Sequence, residues 1–332
     1  MNLKQRLKAI AGSSYLNTLG RIRLSQCGVV LMLHRVVEHE HSAALPHRRP
    51  LCVGRESFEK LLRWLPQYFD CVPLQALLEH SPSHRPRVAL TFDDGWRDNA
   101  EHAFPLLERY QMPASIFLST DFIGSQRAFW WEAIGETLWQ QPQSSAGLAL
   151  EQQLKTLGIT LAQTLKVYDQ STQRSQALAE LLQQLKGFAP HKLQALADSC
   201  PKDCGPHSLD WHQVKHMERS GLVRFGPHGA SHSILTQLDE TQLRADLVRS
   251  HHTLSAHCES PLGIYCYPNG DHNSEVRKAV AALGYRYALS TAAGLIEPGK
   301  NQPLALPRID VSHSSARNPS LLAWRILKGA RA

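Results

Sequence analysis

Two carboxylates stand side by side in Thr91-Phe-Asp-Asp-Gly-Trp96, at the end of the apolar run Val88-Ala-Leu-Thr-Phe92. Adjacent carboxylates repel unless a cation sits between them or one is protonated. A divalent ion resolves the conflict, with one Asp as ligand and the other free to act as a base; the plain alternative is a solvated Asp-Asp-Gly turn. A second group lies in Phe225-Gly-Pro-His-Gly-Ala-Ser-His-Ser233, where His228 and His232 stand four apart behind another strand-like run. One helical turn or a tight loop brings both imidazoles to one point. Joined by a carboxylate they make a three-ligand set with room for water, the composition of a catalytic zinc site. With 18 histidines in the chain, such a pair by itself is not rare. The weight comes from both segments occurring at strand ends, where α/β folds gather their ligands.

The elements that must position these groups are legible as short apolar runs. Val29–Leu33, Val88–Phe92, Ala114–Leu118, Leu222–Phe225, Ile264–Tyr267 and Tyr287–Leu289 read as strands buried on both faces. Helical spacing predicts Phe58–Leu65, Asn99–Tyr110, Trp211–Met217, Glu240–His257 and Ser274–Leu283. Strand and helix alternate, which predicts an α/β fold with right-handed crossovers, as an open sheet or a barrel. From Arg127 to about Cys200 the rhythm breaks into Gln-, Leu- and Ala-rich sequence that reads as a helical insertion of two or three helices. Its aromatics Phe129, Trp130, Trp131 and Trp139 suit either a sugar-binding wall or a helical core.

Composition narrows the class. The 332 residues are 42% hydrophobic and 20% charged, a globular balance, with no apolar run of about 18 residues and no visible signal peptide. Seven scattered cysteines lack disulfide or zinc-ribbon spacing, so a reducing compartment is expected, with Cys200 and Cys204 as surface-loop thiols. The net charge of +7 sits at the ends: six bases and no acid over residues 1–37, four bases and no acid after Asp310. The body between carries 26 bases and 29 acids, which argues against nucleic acid as a partner. Leu3, Leu7 and Ile10 beside Lys4, Arg6 and Lys8, and Leu321, Leu322, Trp324, Ile326 and Leu327 beside Arg325, Lys328 and Arg331, offer two amphipathic segments. They suit peripheral contact with an anionic membrane or helices that cap the fold, and the expected location is cytoplasmic, at the inner membrane face.

With these motifs in place the chain resembles the polysaccharide deacetylase family, carbohydrate esterases that share the NodB homology domain and remove N-acetyl groups from amino sugars. Thr91–Gly95 looks like its first motif, His228-x-x-x-His232 like its second, and Ile264-Tyr-Cys-Tyr-Pro-Asn-Gly270 like its third. Leu31–Arg35 and Leu209–Val214 match flanking segments. The resemblance covers about 29–310 and leaves the insertion unmatched. It implies a distorted (β/α) barrel of the NodB type over 29–313; the residues themselves add the helical insertion at 127–205, a basic N-terminal helical segment at 1–28 and a basic amphipathic segment at 314–332. Asp93 would be the general base, and Asp94, His228 and His232 would hold a divalent metal, zinc first, with cobalt, nickel or manganese as alternatives. Water on the metal would be the nucleophile. The backbone N–H of Asn269 would serve the oxyanion, with Tyr267, Pro268 and Trp96 against the substrate.

One departure stands out: where the family's third motif carries an arginine that orients the base, this chain has Cys266. Arg308 is the candidate replacement, through its bidentate fork, with Arg97 and Arg35 as fallbacks. His313, in Val311-Ser-His313, is the nearest match to the family's general acid, with His272 as rival, and His34 lies near the site without a role. The implied activity is metal-dependent removal of N-acetyl groups from a poly- or oligosaccharide in cell-surface glycan biosynthesis. Two alternatives are a deacylase or deformylase of a lipid-linked amino sugar, a glycolipid, at the cytoplasmic membrane face, and a carbohydrate-binding relative without catalysis. The intact Asp93, Asp94, His228 and His232 argue against the last.

Overall fold

The computed structural model describes residues 3–79, 83–168, 170–201 and 207–330. Ten strands form among them: β1 (Gly28–Leu33), β2 (Arg35–Val37), β3 (Cys52–Gly54), β4 (Asp70–Cys71), β5 (Arg87–Phe92), β6 (Ala114–Leu118), β7 (Val223–Pro227), β8 (Ile264–Cys266), β9 (Tyr287–Ala293) and β10 (Leu306–Asp310). Eight make one parallel sheet in the order β7-β6-β5-β1-β10-β9-β8, with β4 paired to β5, and β2 pairs with β3 apart from it. The sheet curls until its two edges meet, where Leu262 N donates to Phe225 O at 2.7 Å just ahead of β8. The result is a nearly closed, distorted (β/α) barrel ringed by helices.

Side chains two apart on a strand share a face. Leu31, Leu90, Phe92, Ile116 and Phe225 belong to the core that includes the covering helices. Val30, Ala89, Phe117, Ile264 and Leu306 form a second core inside the barrel. Two or four residues further along these inward columns come His34, Asp93, Cys266 and Arg308, so alternation alone delivers them to the C-terminal mouth. β7 adds His228 two residues after Gly226. A Cβ on Gly226 would lie 2.7 Å from the Phe117 ring, so a side chain there would push β7 away.

The sequence pattern places Leu306–Asp310 beyond the last strand, and the structure corrects this: it is β10, a central strand between β1 and β9. Pro307 cannot donate to a ladder and therefore reads as a strand breaker. It is accommodated at an irregularity, since Leu306 pairs with Leu289 while Arg308 pairs with Ala293. Strands β2, β3 and β4, of two or three residues, are too short for a periodic signal.

The described part of the insertion contains no strand and four α-helices, Trp130–Gln140, Ser145–Thr156, Thr172–Leu185 and Pro190–Asp198, where two or three were expected. Ile134, Leu138, Leu150, Leu154, Leu178 and Leu196 give it its own apolar cluster. Cys200 is buried in that cluster and not in a surface loop, because its thiol packs as a small hydrophobe; Cys204 lies outside the described residues. All six described cysteines are free.

A buried ion-pair network fastens the insertion to the barrel. Glu132 accepts from Arg35 Nη1 at 2.6 Å and Arg48 Nε at 2.7 Å, and Asp98 takes Arg35 Nε at 2.7 Å. Burial pushes the Glu132 carboxyl up, but Arg35 and Arg48 outweigh it and hold it well below the ordinary range. A carboxyl depressed in the folded state contributes stability that is present above its unfolded pKa and is lost as pH falls. Glu132→Gln leaves two guanidinium groups short of a partner and costs about 3 kcal/mol at neutral pH. Thermal melts between neutral pH and about pH 3 check this: the gap between wild type and variant should begin to narrow as pH drops below about 4 and still be narrowing at about pH 3.

Helices Leu3–Asn17 and Leu19–Ser25 precede β1, and Pro319–Gly329 closes the described chain. Leu322, Ile326 and Leu327 are buried. The C-terminal segment therefore caps the barrel, and its apolar face is not available to a membrane.

Candidate active site

Asp93 leaves β5 at the barrel mouth, its N–H donating to Leu33 O at 3.0 Å. Its carboxylate is held by a buried fork: Arg308 Nη1 donates to Oδ1 and Nη2 to Oδ2, each at 2.7 Å. The fork is itself fixed, with Nη1 3.2 Å from Thr91 Oγ1 and Nε donating to Ser290 O at 2.9 Å. Cys266 Sγ approaches Oδ1 at 3.5 Å, and His34 Nε2 lies 4.0 Å from Oδ2. Burial raises the Asp93 pKa, yet the Arg308 charge and hydrogen bonds prevail and bring it down to about 2. The fallback arginines are occupied elsewhere: Arg35 in the Glu132 network, Arg97 with Glu101 on the surface.

Asp94 and Gly95 both take left-handed backbone, φ 76° and 82°, and this turn swings the Asp94 carboxylate away from Asp93. Trp96, fully buried, donates its indole N–H to Asp94 Oδ2 at 2.7 Å. Trp96 thus supports the Asp94 carboxylate from behind and does not line the cleft, contrary to the expected substrate contact. Asp94 Oδ1 points at His232 Nε2, 3.0 Å away, and His228 Nε2, 3.4 Å away, with hydrogen-bond geometry to neither. His228 Nδ1 is 2.9 Å from Cys266 O. A carbonyl accepts only, so Nδ1 carries a hydrogen, and Nε2 turns its lone pair toward Asp94 once the ring gives up its second proton. For His228, burial is outweighed by the Cys266 and Asp94 contacts, which raise its pKa; for His232, burial prevails and lowers it. One carboxylate oxygen and two imidazole nitrogens, all within 4.8 Å of one another, fit a divalent cation.

The loop that carries both histidines is pinned by a residue with no motif to announce it. Asp246, buried on helix Glu240–His257, accepts from Ala230 N at 2.8 Å, Ser231 N at 3.0 Å and Ser231 Oγ at 2.5 Å. His232 follows with left-handed backbone, φ 54°. Asp246→Asn keeps the shape but turns one acceptor into a donor facing N–H groups. Zinc affinity, measured by calorimetric titration, should fall about tenfold while the melting profile shows a folded protein.

The cleft above these groups has a volume of about 570 Å³. His34, Asp93, Asp94, His228, His232 and Asn269 line its barrel side, while Trp130, Leu182, Phe188 and Leu193 of the insertion line the facing wall. Of the four aromatics expected at a sugar-binding wall or a helical core, Trp130 and Trp131 reach this cleft; Phe129 stacks on Phe122 and Trp139 is buried in the insertion. Lys186 of the insertion donates to Asn269 Oδ1 at 2.6 Å and closes the walls together at one point. Asn269 is left-handed, φ 59°, ahead of Gly270 at φ 82°.

Tyr267, Pro268 and His313, like Trp96, are not in the lining. Tyr267 is buried with its hydroxyl on Leu304 O at 2.9 Å, and Pro268 is buried beneath the His228 loop, 3.3 Å from where a Cβ on Gly229 would stand. His313 opens the helix His313–Arg317, where its Nδ1 lies 3.6 Å from Glu40 Oε2. Its rival His272 packs on Tyr267 with Nδ1 2.9 Å from Arg277. Neither histidine lines the cleft. His34 does, and the signal was available: Leu33 of β1 pairs with Phe92 of β5, so the next residues, His34 and Asp93, emerge side by side.

Comparison with known proteins agrees with the fold and the motifs. The polysaccharide deacetylase family model matches residues 80–288. YxkH of Bacillus subtilis strain 168, classed among the polysaccharide deacetylases, is 34% identical over 267 residues, 79% of this chain and 66% of its own length. The chain thus spans just under two thirds of that relative. In three dimensions it resembles IcaB from Ammonifex degensii, with a TM-score of 0.57 and 18% identity over 90% of this chain and 97% of that one. It likewise resembles the Streptococcus pyogenes deacetylase PplD, with a TM-score of 0.57 and 17% identity over 91% of this chain and 97% of that one. The barrel and its motifs thus define a NodB-type fold. This chain belongs to the polysaccharide deacetylase family.

Proposed function

We propose that the protein is a metal-dependent hydrolase that removes N-acetyl groups from amino sugars of a poly- or oligosaccharide in cell-surface glycan synthesis. The observation that carries this reading is the convergence of Asp94 Oδ1, His228 Nε2 and His232 Nε2 beside an Asp93 clamped by Arg308, at the floor of one cleft. A divalent cation held by Asp94, His228 and His232, zinc first with cobalt, nickel or manganese as alternatives, supplies Lewis acidity to the amide carbonyl and to the attacking water.

The chain's own residues do the rest. Arg308 takes one lone pair of each Asp93 oxygen, keeps the carboxylate ionised at every working pH and fixes its plane. Oδ2, clear of the Cys266 thiol, accepts the proton as water adds to the amide carbon. The N–H of Asn269, presented by its left-handed turn, stabilises the oxyanion. Collapse breaks the C–N bond, and the proton passes from Oδ2 to the amine nitrogen, with His34 at 4.0 Å placed to relay it through one water. Acetate and the free amine leave. His34 takes the place expected of His313, which has no access to the cleft.

Mass spectrometry of N-acetylated glucosamine oligomers after incubation with the zinc-loaded protein tests the reading. Loss of C2H2O per reacted residue supports it. Loss of CO from N-formyl substrates alone, or no loss from any N-acyl glycan, overturns it.

A further inference from the structure

Seven large hydrophobic side chains are exposed among the described residues, and four of them, Leu3, Leu7, Ile10 and Ile22, fall in the first two helices. Leu3, Leu7 and Ile10 are 74%, 60% and 67% exposed and follow i, i+4, i+7 spacing, so they form one row along helix Leu3–Asn17. The opposite row, Ala9, Gly12 and Leu16, is buried. That face lies on helix Pro319–Gly329 so closely that a Cβ on Gly12 would stand 2.3 Å from Trp324 N, and Ser13 Oγ donates to Ser320 Oγ at 3.1 Å. The helix is therefore held by one side with an apolar row turned outward on the other. Lys4, Arg6 and Lys8 alternate with that row, and Arg21 follows, none with an acidic partner in the described structure. No acid occurs in residues 1–37.

We propose that this face docks on an anionic lipid bilayer, with Leu3, Leu7 and Ile10 entering the interface and Lys4, Arg6, Lys8 and Arg21 meeting the headgroups. An apolar row flanked by bases is the pattern of a helix that lies in the plane of a membrane surface. A second copy of the chain is disfavoured as occupant, because two such faces would set bases against bases with no acid to answer them. Spanning is not implied, since no described helix is long and apolar enough to cross a membrane.

Co-sedimentation of the full chain with vesicles tests this. Partition onto an equimolar mixture of phosphatidylglycerol and phosphatidylcholine should exceed that onto phosphatidylcholine alone by at least about tenfold and should fall in high salt. L7D/I10D and, separately, K4E/R6E/K8E should each lose about tenfold or more of that partition. Both variants should keep the wild-type melting curve and acetate release from a soluble oligosaccharide, which separates this docking face from the cleft. Equal partition onto both vesicle types, or none, overturns the proposal. So does a concentration-dependent dimer that L7D/I10D abolishes without any vesicle binding.

Discussion

Asp94→Asn should leave a folded protein that no longer holds zinc tightly. In calorimetric titration its affinity should drop by more than about 100-fold, because losing a partner that merely orients a ligand costs about 10- to 100-fold and this change removes one of the three proposed ligands. His228→Ala and His232→Ala should do the same. The pH dependence has a definite sign: the contacts to Cys266 and Asp94 raise the His228 pKa in the cation-free protein, so a cation must displace a proton there. Wild-type zinc affinity should therefore rise with pH. Asp93→Asn should bind zinc like wild type and yet lose about 10²- to 10⁴-fold in kcat, the worth of a positioned acid–base group. Equal zinc affinity across all four variants would show that the cation sits elsewhere.

The second large effect is expected at Arg308. Four of its five N–H groups are taken, two by Asp93, one by Thr91 Oγ1 and one by Ser290 O, all buried. Lysine keeps the charge but cannot reproduce the planar fork. Arg308→Lys should lose about 10²-fold or more in kcat with zinc affinity unchanged. With the paired hydrogen bonds gone, the carboxyl rises from about 2, and the acid limb of the pH–rate profile moves to higher pH. A profile that stays in place with kcat intact would mean that Asp93 needs no such clamp.

Why Arg308 and His34 were unequally legible follows from how sequence encodes a barrel mouth. Asp93, Asp94, His228 and His232 sit in short segments whose spacing is itself the chemistry, so reading them needs no tertiary information. Arg308 was found by subtraction, since Cys266 leaves the base without its usual partner, although its strand was hidden by Pro307. His34 requires the β1–β5 register, which puts Leu33 beside Phe92 and so sets His34 next to Asp93. Asp246 requires the loop conformation, because its partners are backbone N–H groups that carry no sequence signature. Tyr267 and Trp96 stand beside the motifs, and the resemblance implies substrate contact for them, but their polar tips are used inward, on Leu304 O and Asp94 Oδ2. His313 matched a motif by spacing alone and was drawn off by Glu40.

Acetate release from an N-acetylated oligosaccharide, followed while metal-stripped wild-type protein is titrated with zinc, tests the site most directly. The geometry predicts no release before zinc is added, growth in proportion to zinc, and a plateau at one equivalent per chain, with Asp93→Asn binding the same equivalent and staying silent. Release from the stripped protein, or silence of the fully loaded wild type across N-acetylated oligomers, would contradict it.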